Sequence, residues 1–454
     1  MTHHFDPVIL REYDIRGTVG ANLHPADAQA IGRAFATRVR AAGGRRVAVG
    51  YDGRTHSPAL EAALVEGLVA SGVDVVRIGL GPTPMLYYAE ATLEVDGGIQ
   101  VTGSHNPRED NGFKLVLRHD SFFGADIQDL ARIAAAGAWT DGTGSVEQAD
   151  VRALYVGRLM AGYAGGTFRI GWDAGNGAAG PVVEQLVQHL PGEHHLLFCD
   201  VDGEFPNHHP DPTVEDNLRD LKALVADKKL DFGVAFDGDG DRIGLIDAHG
   251  RVLWGDDILS ILVPSTLAEL PGATIVADVK CSDTLFDTIA AAGGTPVMWQ
   301  TGHSRMKAKL KELGAPLAGE LSGHMFFAHD YYGFDDALYA AVRLIRAIHL
   351  SGRSLAELRE AMPPRCATPD VRVAVAEARK EAVVAEVAER LAAAGARVDT
   401  TDGLRVSEAD GWWLLRASNT QASLTLRAEA RDAAGLARLL DAIDAQLGAS
   451  GIRR

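Results

Sequence analysis

One arrangement recurs three times along this chain and constrains its fold more than any other feature. A short apolar run ends in aspartate, an amphipathic stretch follows, and then comes a second apolar run. The first runs are "RRVAVGYDGR" over 45–54, "FRIGWDAGNG" over 168–177 and "ATIVADVKCS" over 273–282, with Asp52, Asp173 and Asp278 at their ends. After the first of them come "PALEAALVEGLVASG", apolar at helical spacing, and "VDVVRIG". Strand, helix and strand in that order require a parallel crossover. A further element closes each unit: a strand, a polar or glycine-rich loop and another apolar run. These are "GGIQVTGSHNP…FKLVL", "LDFGVAFDGDGDRIGLID" and "PLAGELSGHMFFA". The spacing is too long and irregular for a solenoid. The reading is three related mixed α/β domains whose chemical loops lie at strand ends.

The style changes after "AMPPRCATPD". Pro363, Pro364 and Pro369 mark a linker, "ARKEAVVAEVAERLAAAG" reads as a helix, "GWWLLRAS" and "ASLTLRAEA" as strands, and "AAGLARLLDAIDAQLG" as a closing helix. The expected organisation is α/β domains at 1–150, 151–254 and 255–366, and a smaller C-terminal α+β domain at 367–454, joined flexibly enough to move.

A net charge of −17 argues against a broad nucleic-acid surface, because phosphate backbones recruit basic faces. Anionic metabolites are still compatible with it, since a local cluster of cations and N–H groups suffices. Cys199, Cys281 and Cys366 are far apart and have no CxxC partner, which fits a reducing compartment. The start "MTHHFDPVILREYDIRG" lacks a basic and then apolar leader, and no window offers about 18 uninterrupted apolar residues. The expectation is a cytoplasmic protein with no membrane partner.

Three loops carry the chemistry. In "GGIQVTGSHNPREDNGFK" (97–114), Gly103 lets the backbone turn sharply beside Ser104, and Pro107 pushes Asn106 to an extended conformation. A hydroxyl there is expected to be presented outward at a strand end, as a nucleophile or phosphate carrier would be. In "FDGDGDR", Asp237, Asp239 and Asp241 alternate with glycines, so three carboxylates can converge on one hard cation. Arg242 follows and can bring positive charge to a phosphate. In "GELSGH", alternation along an extended segment would aim Glu320, Ser322 and His324 to one side, a set suited to sugar hydroxyls. "RASNT" adds Arg416, Ser418, Asn419 and Thr420, the donors that a phosphate dianion needs. There is no GxxxxGK[ST] and no convincing GxGxxG, so nucleotide binding is not indicated.

The set "YDIRG", "VTGSHNPREDNGFK", "FDGDGDR", "GELSGH" and "RASNT", in that order, resembles the α-D-phosphohexomutases over essentially the whole chain. Within them it resembles the phosphomannomutase/phosphoglucomutase branch. A phosphoglucosamine mutase, the runner-up, would more often carry Gln in place of Leu321 and Gly in place of Asn419. A metal-dependent sugar-phosphate phosphatase is the less favoured alternative. The resemblance implies four domains around a central cleft and reversible phosphoryl transfer between the 1- and 6-positions of mannose or glucose phosphates. It implies a phosphorylated Ser104, a hexose 1,6-bisphosphate intermediate that also activates, and Mg²⁺ held by Asp237, Asp239, Asp241 and a phosphoserine oxygen. The implied catalytic residues are Ser104, His105, Lys114, Arg242, His324 and Arg16, with Lys114, His324 and Arg16 the candidates for proton transfer. The implied substrate-binding residues are Tyr13, Lys280, Gly302, His303, Glu320, Ser322, Arg416, Ser418, Asn419 and Thr420. A hexose phosphate is the expected partner, and the chain is expected to be a monomer or small homo-oligomer.

Overall fold

The computed structural model describes residues 2–418 and 422–454, and within them the threefold pattern becomes three sheets with one strand order. In the first, Arg46–Tyr51 lies between two parallel neighbours, Asp74–Leu80 and Gly97–Val101, and Asp110–Leu117 runs antiparallel on the outer side of the latter. In the second, Phe168–Asp173 lies between Gly192–Leu197 and Phe232–Phe236, and Ile243–Asp247 is the antiparallel strand. In the third, Thr274–Asp278 lies between Thr295–Trp299 and Leu317–Gly319, and Met325–Phe327 is antiparallel. Helices make both crossovers in every unit: Ser57–Ala70 and Thr83–Thr92, then Gly180–Leu186 and Arg219–Lys228, then Asp283–Ala291 and His303–Leu313. Strands covered on both faces need continuous apolar runs, and Val47, Ala48 and Val49 are fully buried, as are Val276 and Ala277.

The hairpin loops that join each third strand to its antiparallel partner are the three loops singled out in the sequence. Ser104 lies in the first, the three aspartates in the second, and Glu320 to His324 in the third. At the start of the chain, Ile15–Thr18 adds to the first sheet beside Asp110–Leu117, with Arg16 opposite Gly112. That pairing carries Tyr13 and Arg16 to the edge of the first hairpin.

The C-terminal unit is α+β, as read. Gly411–Ala417 and Ser423–Ala430 form its central pair, and helices Glu377–Ala393 and Ala433–Ala449 bury Val383, Val387, Leu439 and Ile443 against it. Asp432 caps the last helix by accepting from Gly435 N–H at 2.7 Å. The proline-marked segment is anchored, contrary to a loose linker. Cys366–Ala367 pairs as a short strand with Ser423–Ala430, Arg365 reaches Asp257 at 2.8 Å, and Lys280 donates to Asp370 at 3.0 Å. The prolines exclude helix here, and an extended edge segment is what remains for the chain to adopt. Cys199, Cys281 and Cys366 are free thiols, and no helix among the described residues is long and apolar enough to cross a membrane.

Candidate active site

Ser104 sits at the end of the strand Gly97–Val101 with φ +49°, in the left-handed region, where non-glycine residues are uncommon. Two buried residues impose that shape. Asp52 accepts from Thr102 Oγ1 at 2.8 Å and Gly103 N–H at 3.1 Å. Arg54 donates to the carbonyls of Ser104, Asn106, Pro107 and Asp110 at 2.5–2.9 Å. Gly103 is required for that clasp, because a Cβ there would lie 2.5 Å from the guanidinium. The strand-end position of the serine is as expected, but its outward presentation is not. Ser104 is 1% exposed, and its Oγ donates to Asp237 Oδ2 at 2.9 Å. The acid loop of the second domain closes over it, and a Cβ on Gly238 would meet the Ser104 carbonyl at 2.4 Å.

Asp237, Asp239 and Asp241 are all buried, and each brings an oxygen within 4.8 Å of the others'. The loop curls back on itself, so that Asp237 Oδ1 accepts the N–H groups of Asp241 and Arg242 at 3.1 Å. Lys114, in the strand Asp110–Leu117, donates to Asp239 at 2.7 Å and also to Asp241, and Thr83 adds a hydroxyl to Asp239. Burial works against the Lys114 ammonium, but the attraction of Asp239 and Asp241 holds it above the ordinary lysine range. Burial and its two neighbouring carboxylates push Asp237 well above the usual carboxylate range. Arg242 Nε lies 4.0 Å from Asp237. Burial, then the cations Arg242 and Arg16, press His105 well below the imidazole range, and its Nδ1 is 3.2 Å from Ser104 Oγ.

Glu320, Ser322 and His324 do converge, by a different geometry from the one expected. Glu320 N–H donates to the His324 carbonyl and Gly323 N–H to that of Glu320, so the segment is a tight turn and not an extended strand. The turn brings His324 Nδ1 to 2.9 Å from both Glu320 Oε2 and Ser322 Oγ. The hairpin is too short to alternate, and Gly323 at φ +90° closes it. Burial opposes the charge on His324, but Asp241 at 3.3 Å and Glu320 raise its pKa to about 9. A protonated ring cannot accept from Arg242 Nε, so their 3.3 Å separation is an approach of two cations, with Asp241 as the true partner of Nε2. Gly302, at φ +127° where Tyr13 leaves no room for a Cβ, donates to Glu320 at 2.5 Å. His303 follows, and its ring lies 5.8 Å from that of His324.

Arg16 reaches the same cluster, donating to Asp14 at 2.7 Å and Asn106 at 2.8 Å. Tyr13 donates to the Thr301 carbonyl at 2.8 Å. Lys280 and Arg416 stand apart, at the junction with the C-terminal domain, where Arg416 pairs with Asp402 at 3.0 Å. Arg416 lies within the strand Gly411–Ala417, and Ser418 follows it. Asn419 and Thr420 lie outside the described residues.

Four domain families match the chain in order: phosphoglucomutase/phosphomannomutase alpha/beta/alpha domain I at residues 7–139, domain II at 156–250, domain III at 254–366 and the C-terminal domain at 371–446. A phosphomannomutase/phosphoglucomutase of Pseudomonas aeruginosa is 42% identical over 443 residues, 97% of this chain and 96% of that protein. The chain belongs to the phosphoglucomutase/phosphomannomutase family. A phosphoglucomutase of Neisseria gonorrhoeae is 39% identical over 95% of each chain. The crystal structure of a phosphoglucomutase/phosphomannomutase family protein from Burkholderia thailandensis superposes with a TM-score of 0.92 at 42% identity, covering 98% of both chains.

Members of this family are enzymes, and the site fits a divalent cation. Asp239 Oδ1 is buried and accepts no hydrogen bond, and three carboxylates are the hard oxygen donors that such an ion prefers. Arg54, Asp52 and Thr83 shape or buttress these loops through hydrogen bonds, and the sequence reasoning missed all three as site residues. Asp52 could have been found from its place at the end of the first repeat. Asp278 at the equivalent place accepts from Leu321 N–H at 3.2 Å and so steadies the third loop in a similar way.

Proposed function

We propose that this enzyme moves a phosphoryl group between the 1- and 6-positions of glucose or mannose phosphate, through phosphorylated Ser104 and a hexose 1,6-bisphosphate. The observation that carries this reading is the juxtaposition of Ser104 Oγ with Asp237, inside one cluster of three buried acids with buried Lys114 and His324 and half-buried Arg242. In the forward half-reaction the bond between phosphorus and Ser104 Oγ breaks and a bond to the free sugar hydroxyl forms. That hydroxyl gives up its proton, and Oγ takes one. Lys114, His324 and Arg16 ring the site for these transfers, and His324, with a pKa of about 9, arrives protonated at neutral pH. Arg242 faces charge that spreads over the phosphoryl oxygens, where positioning and neutralisation do most of the work.

Asp237, Asp239, Asp241 and a phosphoserine oxygen would hold Mg²⁺, which when bound supplies charge neutralisation for the transferring group. Glu320 and Ser322 bind the sugar hydroxyls. Arg416, Ser418, Asn419, Thr420 and Lys280 bind the distal phosphate, and Tyr13, Gly302 and His303 also contact the substrate. Hexose 1,6-bisphosphate activates by returning phosphate to a bare Ser104. The same reading keeps the enzyme in the cytoplasm, where its free thiols persist, as a monomer or small homo-oligomer.

The test follows glucose 1-phosphate, mannose 1-phosphate and inorganic phosphate with one enzyme preparation. The expected result is isomerisation that needs a divalent cation, is restored by glucose 1,6-bisphosphate after dephosphorylation, and releases little phosphate. Stoichiometric phosphate release with every sugar consumed would overturn the mutase reading in favour of hydrolysis, and turnover unchanged by exhaustive chelation would overturn the metal assignment.

A further inference from the structure

His303 opens the helix His303–Leu313, and one turn on, Lys307 lies directly beneath it. The Lys307 ammonium is held from three sides. It donates to Asp335 Oδ1 at 2.9 Å, lies 4.2 Å from the centre of the Tyr87 ring, and is 3.4 Å from His303 Nδ1. Asp335 itself is fully buried. These contacts leave the lysine little freedom. Asp335 brings an oxygen within 4.8 Å of Asp241 and His324 at the edge of the acid cluster, whereas Lys307 belongs neither to the three aspartates nor to the turn at Glu320–His324.

An ammonium only donates, so a ring nitrogen within its reach has to accept. Nδ1 is then unprotonated and the ring proton is on Nε2. The rival arrangement would put the proton on Nδ1, aimed at Asp335 Oδ2, but that oxygen is 3.8 Å away, beyond a hydrogen bond. At the other end of the ring, His303 Nε2 is buried and has no hydrogen-bond partner. Its ring stacks on His324 at an angle of 29°, and Tyr13 packs edge-on at 6.2 Å. A buried donor left unpaired is costly, and an oxygen-bearing ligand would remove that cost.

We propose that Lys307, anchored by Asp335, is a positioning residue that fixes His303 as the tautomer presenting Nε2–H to an oxygen of the bound sugar phosphate. This rests on the hexose phosphate reading of the cleft. Two features keep the ring neutral while it donates. The positive end of the helix disfavours an imidazolium at its first residue. Burial, then Lys307 and Lys114, hold His303 well below the ordinary imidazole range against the opposing pull of Asp241. The charged groups facing the ring are therefore Lys307, Lys114, His324, Asp241 and Asp335. The outcome is a neutral donor beside a charged one, His324, so that the two imidazoles do different work.

The experiment labels the full-length protein with ring-¹⁵N histidine and reads the nitrogen shifts without substrate, assigning His303 by the signal lost in His303→Gln. The expected wild-type pattern is an unprotonated Nδ1 and a protonated Nε2, retained in Lys307→Arg and lost or inverted in Lys307→Met. In kinetics, Lys307→Met should lower kcat/KM by roughly tenfold, the weight of one hydrogen bond. In the His303→Gln background, whose amide still donates, the same change should cost less than about twofold. Protonated Nδ1 in the wild type would overturn the proposal, as would equal losses in both backgrounds. An enzyme with the expected tautomer but no mutase activity would instead defeat the functional reading and leave the tautomer assignment standing.

Discussion

Four carbonyls of the Ser104 loop converge on one guanidinium, that of Arg54, which belongs to the same domain and is almost wholly buried. Arg416, in the C-terminal domain, has Asp402 as its ion-pair partner, and Asp402 in turn accepts from Thr301 N–H of the third domain at 3.0 Å. The Thr301 carbonyl accepts from Tyr13 of the first domain. The Ser104 loop is thus shaped from within its own domain, and the Arg416 strand end, proposed to grip a phosphate, is held by a chain of contacts that crosses two domain boundaries. A group that breaks and forms bonds gains from fixed geometry. A group that must admit and release a ligand gains from contacts that can be exchanged.

That contrast can be broken experimentally. Ser104→Ala should produce the largest loss, about a thousandfold or more in kcat, with little change in folding, because the small side chain still fits the loop. Intact mass should show the phosphorylated species absent. Arg54→Met should come next. It strands Asp52 and four carbonyls in the interior, so the expected cost is about 3–5 kcal/mol in denaturant unfolding together with a large fall in kcat. Arg416→Ala should instead raise KM by roughly 10- to 100-fold and cost about 1–3 kcal/mol, less than Arg54→Met, since Asp402 keeps the Thr301 N–H. Tyr13→Phe, which cuts the chain at its first link, should cost only about 1 kcal/mol and raise KM a few-fold. If Arg416→Ala destabilised the protein as much as Arg54→Met, or lowered kcat without touching KM, the distinction between a fixed loop and an exchangeable grip would fail.

Much of this was legible in the sequence because the signals were local. The apolar runs ending in Asp52, Asp173 and Asp278 fixed the parallel strands, and the alternating aspartates of 237–241 marked a convergent acid loop that the fold does assemble. What stayed hidden depended on contacts distant along the chain. Nothing beside Arg54 announces that it will clasp carbonyls some fifty residues away. Ser104 read as outward because its own strand end is; the second domain's loop covers it, and a single hairpin cannot show that. The turn at Glu320–His324 was read as extended since alternation is the default for a strand-like run, and the closing role of Gly323 emerges only from its backbone angle. Lys307 and Asp335 belong to none of the motifs quoted from the sequence, and only the fold brings them to His303.

The shared strand order of the three sheets has a consequence for how such an enzyme can change. The proposed phosphate carrier, the acid triad and the proposed sugar-facing turn occupy the equivalent hairpin of three successive units, as though one ancestral piece had been copied and each copy given its own trade. A lineage could then rewrite the third hairpin to favour another sugar while the first two kept the phosphoryl chemistry untouched. Innovation in such a molecule is confined to a replaceable part, and the inherited framework absorbs the change.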